Sequence, residues 1–202
     1  MRLLKKIAGL FLISRFFVAI FVYYGSVLCP FLAPKPSFYW GVDNFWLNPW
    51  TLYDSEWYLR IAARGYESIT AVFFPLYAGL LSLAGPDESR MAFWGVVISN
   101  GCFLAALYFF YRLTAIDFDE KVADRTVFLL AFFPTAAFFS AVYTESLFLL
   151  LSVLSFYSAR MRRWGQAGLW AGFAGLTRNS GWVLFIMLAI EYAGYLKDVR
   201  KQ

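Results

Sequence analysis

Leu52-Tyr53-Asp54-Ser55-Glu56-Trp57-Tyr58-Leu59-Arg60-Ile61-Ala62-Ala63-Arg64-Gly65-Tyr66 sets two carboxylates two residues apart among aromatic rings, with two arginines following. The chain on either side is strongly apolar. Of 202 residues, 61% are hydrophobic and only 15% charged, and the mean hydropathy is +0.59. Soluble domains carry roughly 25% charged residues. Charge held near a membrane costs free energy unless it is solvated, paired or put to use. The stretch therefore reads as a catalytic loop at the outer face of an integral membrane protein, and the apolar runs read as the helices that hold it.

Working outward, Arg2, Lys5 and Lys6 precede an apolar run over 7–32 that Arg15 interrupts. The run is too long for a signal peptide, lacks a small-x-small cleavage site, and has Leu28 before Cys29 where a lipoprotein site needs a small residue. It is expected to be an uncleaved first span with a cytoplasmic N-terminus. Residues 33–90 form the expected outer loop, with Pro34, Pro36, Trp40, Trp46, Pro49 and Trp50 suited to a membrane interface. Within it, Ser55–Ala63 reads as a short helix ended by Gly65. The apolar segment 71–85 falls short of the roughly 20 residues a span needs and is expected to lie at the interface. Further spans are expected over 91–111, 126–142 (with Pro134 inside), 146–158, 166–177 and 181–196. The last pair has an alternative as one long broken helix. Gly168, Gly172 and Gly175 suggest close helix packing there. The result is an all-α polytopic transmembrane bundle of about six spans, a single membrane domain over 1–202.

Charge bias supports this layout. Arg2, Lys5, Lys6, Arg112, Lys121, Arg125, Arg160, Arg162, Arg163, Lys197, Arg200 and Lys201 fall inside; Lys35, Arg60, Arg64, Arg90 and Arg178 fall outside. Cytoplasmic loops carry such an excess. The net charge of +5 is explained by these juxtamembrane clusters, so nucleic acid is not an expected partner. Cys29 and Cys102 lack metal-ligand spacing, and with no histidine a zinc site is not expected. The missing histidine also leaves acid–base work to carboxylate, tyrosine or lysine. No Walker or Rossmann glycine loop is present.

Asp54 and Glu56 are the candidate catalytic pair. Asp54 has two open readings, a helix cap and a general base for an acceptor hydroxyl. Glu56 either joins that chemistry or pairs with Arg60, spaced for an i,i+4 contact. Residues two apart on a helix diverge, yet a divalent cation at Asp54 and Glu56 stays open beside a metal-free base. Glu145 starts a helix, where it complements the dipole with Thr144 as cap, or lines the same cavity. Arg178 snorkels to the interface or holds an anionic phosphate. Arg15 likewise snorkels or contacts a lipid phosphate.

Four stretches occur in order: Asp54 to Tyr66; Phe73-Phe74-Pro75-Leu76-Tyr77; Phe138-Phe139-Ser140-Ala141-Val142-Tyr143-Thr144-Glu145-Ser146-Leu147-Phe148; and Thr177-Arg178-Asn179-Ser180-Gly181. Together they resemble the GPI mannosyltransferase PIG-V family and its prokaryotic relatives, among membrane glycosyltransferases of GT-C fold. The resemblance runs from about residue 11 to 185. It implies inverting transfer of a sugar, typically mannose, from a polyprenyl-phosphate donor such as dolichol phosphate mannose to a lipid or glycan acceptor outside the cytoplasm. It implies Asp54 as the base, Glu145 lining the pocket, Arg178 near the donor phosphate and an interfacial helix at 73–85. Trp57, Arg60, Tyr143 and Arg15 complete the candidate substrate-binding set. Two departures stand out: Tyr53 sits where the family often has Trp, and family members usually carry further spans after the arginine motif. The chain is thus also readable as a minimal form, a half needing a partner membrane subunit, a scaffold, or a lipid-linked-sugar transporter. Compact loops suggest a prokaryotic plasma membrane, or the endoplasmic reticulum membrane in a eukaryote.

Overall fold

The computed structural model describes residues 2–28 and 44–199. Cys29, the end of the first expected span and the loop residues Pro34, Pro36 and Trp40 lie outside the described residues. Among the described residues the fold is all α: α1 Arg2–Leu28, α2 Asp54–Arg64, α3 Pro75–Ser82, α4 Glu88–Asp117, α5 Glu120–Ala131, α6 Glu145–Arg160, α7 Trp164–Gly175 and α8 Gly181–Val199. Local chemistry sets most of the ends. The Asp87 carboxylate accepts from the Arg90 N–H at 2.7 Å, and Asp119 accepts from Val122 at 2.8 Å, capping α4 and α5. Pro75 opens α3, and Gly65, at φ 81°, closes α2.

Among the described residues two helices, α1 and α4, are long and apolar enough to cross a membrane on their own. The eight-residue α3 is only about 12 Å long and cannot. The helix expected over 126–142 ends early, at Ala131, and the chain continues through a 3₁₀ turn at Ala136–Phe139. Pro134 is the reason. It lacks an N–H, its ring would meet the carbonyl of Leu130, and it bars helical geometry at Phe133.

Helix α4 is the central post. One core joins α2, α3, α4, α6, α7 and α8 through Leu59, Tyr77, Leu81, Met91, Leu147, Ala171 and Leu184. A second joins α1, α4 and α5 through Ile7, Phe103, Leu107 and Val127. Helices α7 and α8 form a hairpin rather than one broken helix, because Trp164 at the start of α7 packs on Tyr192 and Tyr195 near the end of α8, with ring centroids 4.9 and 5.6 Å apart. The glycines that bring elements close are not Gly168, Gly172 and Gly175, where an added Cβ would meet nothing within 4 Å. They are Gly95, against Val142, and Gly181, against the α7 backbone.

Much of the outer surface is apolar. Leu12, Phe16, Ile20 and Phe21 on α1, Leu129 on α5, and Val183, Ile186 and Ile190 on α8 are all exposed. Soluble monomers rarely present contiguous apolar patches beyond a few hundred Å². The charges separate by end. Lys6 pairs with Asp124, and Arg160 bonds Asp117 at 3.1 Å and Glu191 at 2.7 Å. Helix α6 runs from that Arg160 end to Glu145, about 23 Å away along its axis.

Candidate active site

The acidic stretch is stapled to the α5–α6 connection before it becomes a helix. The carbonyl of Trp50 accepts from the Val142 N–H at 2.9 Å and from the Ser55 hydroxyl at 3.3 Å. The next residues turn sharply. Tyr53 has φ 56° and ψ −121°, and the Ser55 N–H reaches back to the Leu52 carbonyl at 3.4 Å. These values match the first central position of a type II′ turn, a place for glycine. A non-glycine residue there costs on the order of 1–3 kcal/mol and persists only where its surroundings over-determine it. The Tyr143 hydroxyl does so from both sides, donating to the Leu52 carbonyl at 2.9 Å and accepting from the Asp54 N–H at 3.3 Å.

Asp54 is therefore the first residue of α2, not its cap. The cap position belongs to Tyr53, which makes no side-chain capping bond. The Asp54 carboxylate is exposed and has no hydrogen-bond partner among the described residues. In the first turn its charge is favoured by the helix dipole.

Glu145 likewise opens α6, and Thr144 before it makes no side-chain capping bond. Glu145 Oε1 accepts from Arg178 Nη1 at 2.5 Å, across 33 residues of sequence. The pair is partly open, with side-chain exposure of 41% for Arg178 and 26% for Glu145, while Glu145 Oε2 is buried without a hydrogen-bond partner. Arg178 sits in the Leu176–Ser180 turn of the α7–α8 hairpin. The Leu76 N–H, donating to the Leu176 carbonyl at 3.0 Å, ties that turn to the start of α3.

Tyr58, one turn after Asp54, is where these parts meet. Burial pushes its hydroxyl pKa up; a hydrogen bond with Thr144 opposes this, the charges of Glu145 and Asp54 add to it, and Arg178 counteracts. One buried phenol thus feels three of the six charged residues picked out by sequence. Tyr143 is pushed up to about 12, chiefly by burial, with the Asp54 N–H opposing and the Asp54 and Glu145 charges adding. Beneath them Tyr77, fully buried, bonds the Ser99 hydroxyl at 3.0 Å, and Ser99 donates to the Tyr143 carbonyl at 3.4 Å. An apolar crevice of about 80 Å³, lined by Trp50, Leu52, Tyr53, Phe138 and Tyr143, opens beside the turn.

This assembly unites all four sequence stretches at one end of the bundle. The family described as Mannosyltransferase (PIG-V) matches residues 3–197, nearly the whole chain. The chain belongs to the PIG-V mannosyltransferase family. One curated relative, GPI mannosyltransferase 2 of Yarrowia lipolytica (strain CLIB 122 / E 150), is 29% identical over 158 residues, which is 77% of this chain and 44% of that protein. The chain thus spans less than half the length of the curated relative it matches. No solved structure matches it significantly.

Other candidates of this PIG-V family chain take different places. Arg60 bonds Glu67 at 2.5 Å and lies 5.8 Å from the Trp57 ring centre, while Trp57 stacks on Phe73 at 6.1 Å. These contacts fasten α2 to the 67–73 segment. Glu56 lies about 200° around the helix from Asp54. Among the described residues no three His, Cys, Asp or Glu side chains converge. Arg15 lies elsewhere, about 12 Å along α1 from Tyr23, whose hydroxyl accepts from the Trp50 indole. Its guanidinium donates to the carbonyls of Ala131 (3.0 Å) and Ala136 (2.8 Å) and to the Ser140 hydroxyl (3.1 Å), over the Phe103 ring. It closes the backbone break that Pro134 opens. Sequence reasoning did not single out Tyr58, and it noted Tyr53 only as standing where the family often has Trp. The i,i+4 spacing from Asp54 was the available signal for Tyr58; the backbone of Tyr53 leaves none.

Proposed function

We propose that the chain transfers mannose from a polyprenyl-phosphate donor to a hydroxyl of a lipid-linked or glycan acceptor, with inversion. The observation that carries this reading is the exposed Asp54 carboxylate, held by a turn that Tyr143 braces two residues before Glu145 and its ion pair with Arg178, in a chain of the PIG-V family. Asp54 takes the proton of the acceptor hydroxyl as its oxygen bonds to the anomeric carbon. The bond from that carbon to the donor phosphate oxygen breaks, and polyprenyl phosphate leaves. Arg178 commits one Nη to Glu145 and keeps further N–H donors for the phosphate. No step needs a metal at Asp54 and Glu56.

In this reading α1, α4, α5 with its 3₁₀ continuation, α6, α7 and α8 cross the membrane, and α2 and α3 lie at its outer or luminal interface. Helices α6 and α7, of 16 and 12 residues, are shorter than a core of roughly 30 Å requires, which recesses the Glu145–Arg178 pair. The donor's isoprenoid chain lies in the apolar groove between α1 and the 132–137 segment, lined by Phe17, Phe21, Phe132 and Pro134. That groove adjoins the crevice at Tyr53 through Val22 and Ala137.

The test is mannose transfer from labelled polyprenyl-phosphate mannose to a membrane-lipid extract by the purified protein and by Asp54→Asn. We expect transfer by the wild type and a loss on the order of 10²-fold or more in the variant. Equal transfer by both removes Asp54 as the base.

A further inference from the structure

We infer that Tyr143 is a positioning residue that sets the aim of Asp54 rather than a group that touches substrate; this rests on Asp54 being the base. Its ring is buried, only 8% exposed, and packs edge-on against Phe138 with centroids 5.4 Å apart, so little of it is open to a sugar. Its hydroxyl is fully engaged, donating to the Leu52 carbonyl and accepting from the Asp54 N–H. The bridged residue between those two is Tyr53, at φ 56°, where an L residue does not rest unaided. The backbone of this strap is pinned independently. The Val142 N–H bonds the Trp50 carbonyl, and the Tyr143 carbonyl accepts from Ser99 on α4. The clamp is therefore anchored in the central helix, and only its last link, the phenol oxygen, reaches the turn. Without that link Tyr53 relaxes toward negative φ. The first turn of α2 rotates, and the carboxylate moves relative to a donor bound between α2 and Arg178. The side chain of Tyr53 is exposed, so burial does not account for its backbone.

The experiment is a double-mutant cycle of Tyr143→Phe and Tyr53→Gly, with Asp54→Asn beside it, reading kcat and donor KM with polyprenyl-phosphate mannose and a membrane-lipid extract. Amide hydrogen exchange is read on the same detergent-solubilised proteins. Tyr143→Phe keeps the buried ring and should lower kcat by on the order of 10- to 100-fold with KM nearly unchanged, the cost of a misplacement near 1 Å. Exchange should quicken at Asp54–Glu56 alone. In the Tyr53→Gly background the same substitution should cost severalfold less, because glycine adopts positive φ without help. A raised KM with unchanged kcat would make Tyr143 a substrate contact and overturn the inference. So would unchanged kcat, faster exchange throughout the chain, or an equal cost in both backgrounds. Wild-type transfer by Asp54→Asn would instead remove the base, and this inference with it, whatever Tyr143→Phe does.

Discussion

Replacing Gly181 by alanine should loosen the hairpin that carries Arg178. A Cβ at this position would lie 2.5 Å from the carbonyl carbon of Ala174 and the nitrogen of Gly175, and 2.6 Å from the Ala174 oxygen. These are backbone atoms, so no side-chain rotation relieves the clash; α8 must move by about 1 Å to restore van der Waals contact. The Ala174 carbonyl already accepts from the Thr177 hydroxyl at 2.6 Å and from the Thr177 and Arg178 N–H groups at 3.0 and 3.2 Å. Any shift is therefore transmitted to the turn that aims Arg178 at Glu145. Overpacking of this kind costs roughly 1–3 kcal/mol. At about 2–4 °C per kcal/mol for a chain of this size, a cost near 2 kcal/mol lowers Tm by about 4–8 °C. Gly172→Ala is the control of opposite sign. It lies inside α7 with nothing within 4 Å of its added Cβ. Alanine there should gain about 0.5–1 kcal/mol of helix propensity and raise Tm by about 1–4 °C. Thermal unfolding in one detergent, with mannose transfer measured alongside, reads both variants. A Gly181→Ala protein within about 1 °C of wild type and with full transfer would refute the reasoning, because the close approach would then not constrain the hairpin.

Arg15→Ala strands the carbonyls of Ala131 and Ala136 and takes one partner from the Ser140 hydroxyl, which still donates to Asn100 Oδ1. A loss of about 2–3 kcal/mol is expected from charged hydrogen bonds, with Arg15→Lys recovering less than half because an ammonium lacks the planar fork. Thermal midpoints of the two variants decide it. Glu145→Gln, Arg178→Gln and their double variant should show a coupling energy of about 1 kcal/mol in thermal unfolding, modest because the pair is partly solvated. Additive losses would mean that the pair contributes nothing as a pair. Tyr143 holds its proton more tightly folded than unfolded, with a pKa raised from 10.0 to about 12. Its stabilisation is thus fully present below pH 10 and is lost as pH rises toward about 12, and Tyr143→Phe should remove that share of the alkaline decline in Tm.

Several features were legible in the residues because they depend only on neighbours along the chain. The length and polarity of each apolar run separate a span from the short α3. Asp87, Asp119 and Gly65 mark helix ends through bonds and dihedrals within a few positions. Pro134 also belongs here: its missing N–H and its clash with Leu130 predict a helix end near Ala131, and a span drawn through to 142 overlooked that. Arg60 shows what the same logic omits: beside its i,i+4 spacing to Glu56, it bonds Glu67, a second carboxylate brought into reach where the chain folds back after Gly65.

The sequence by itself determined an all-helical, strongly apolar chain of the PIG-V family, and set its short acidic stretch apart from the apolar runs. Periodicity, composition and capping act over one or two helical turns and need no knowledge of the fold. Only the tertiary structure decided that Arg178 meets Glu145, that Tyr143 braces the turn before Asp54, and that Arg15 serves the break at Pro134. Those meetings join residues 33 to 121 positions apart. They depend on how each helix is rotated and how closely Gly95 and Gly181 let neighbours approach, and packing across the whole bundle sets both.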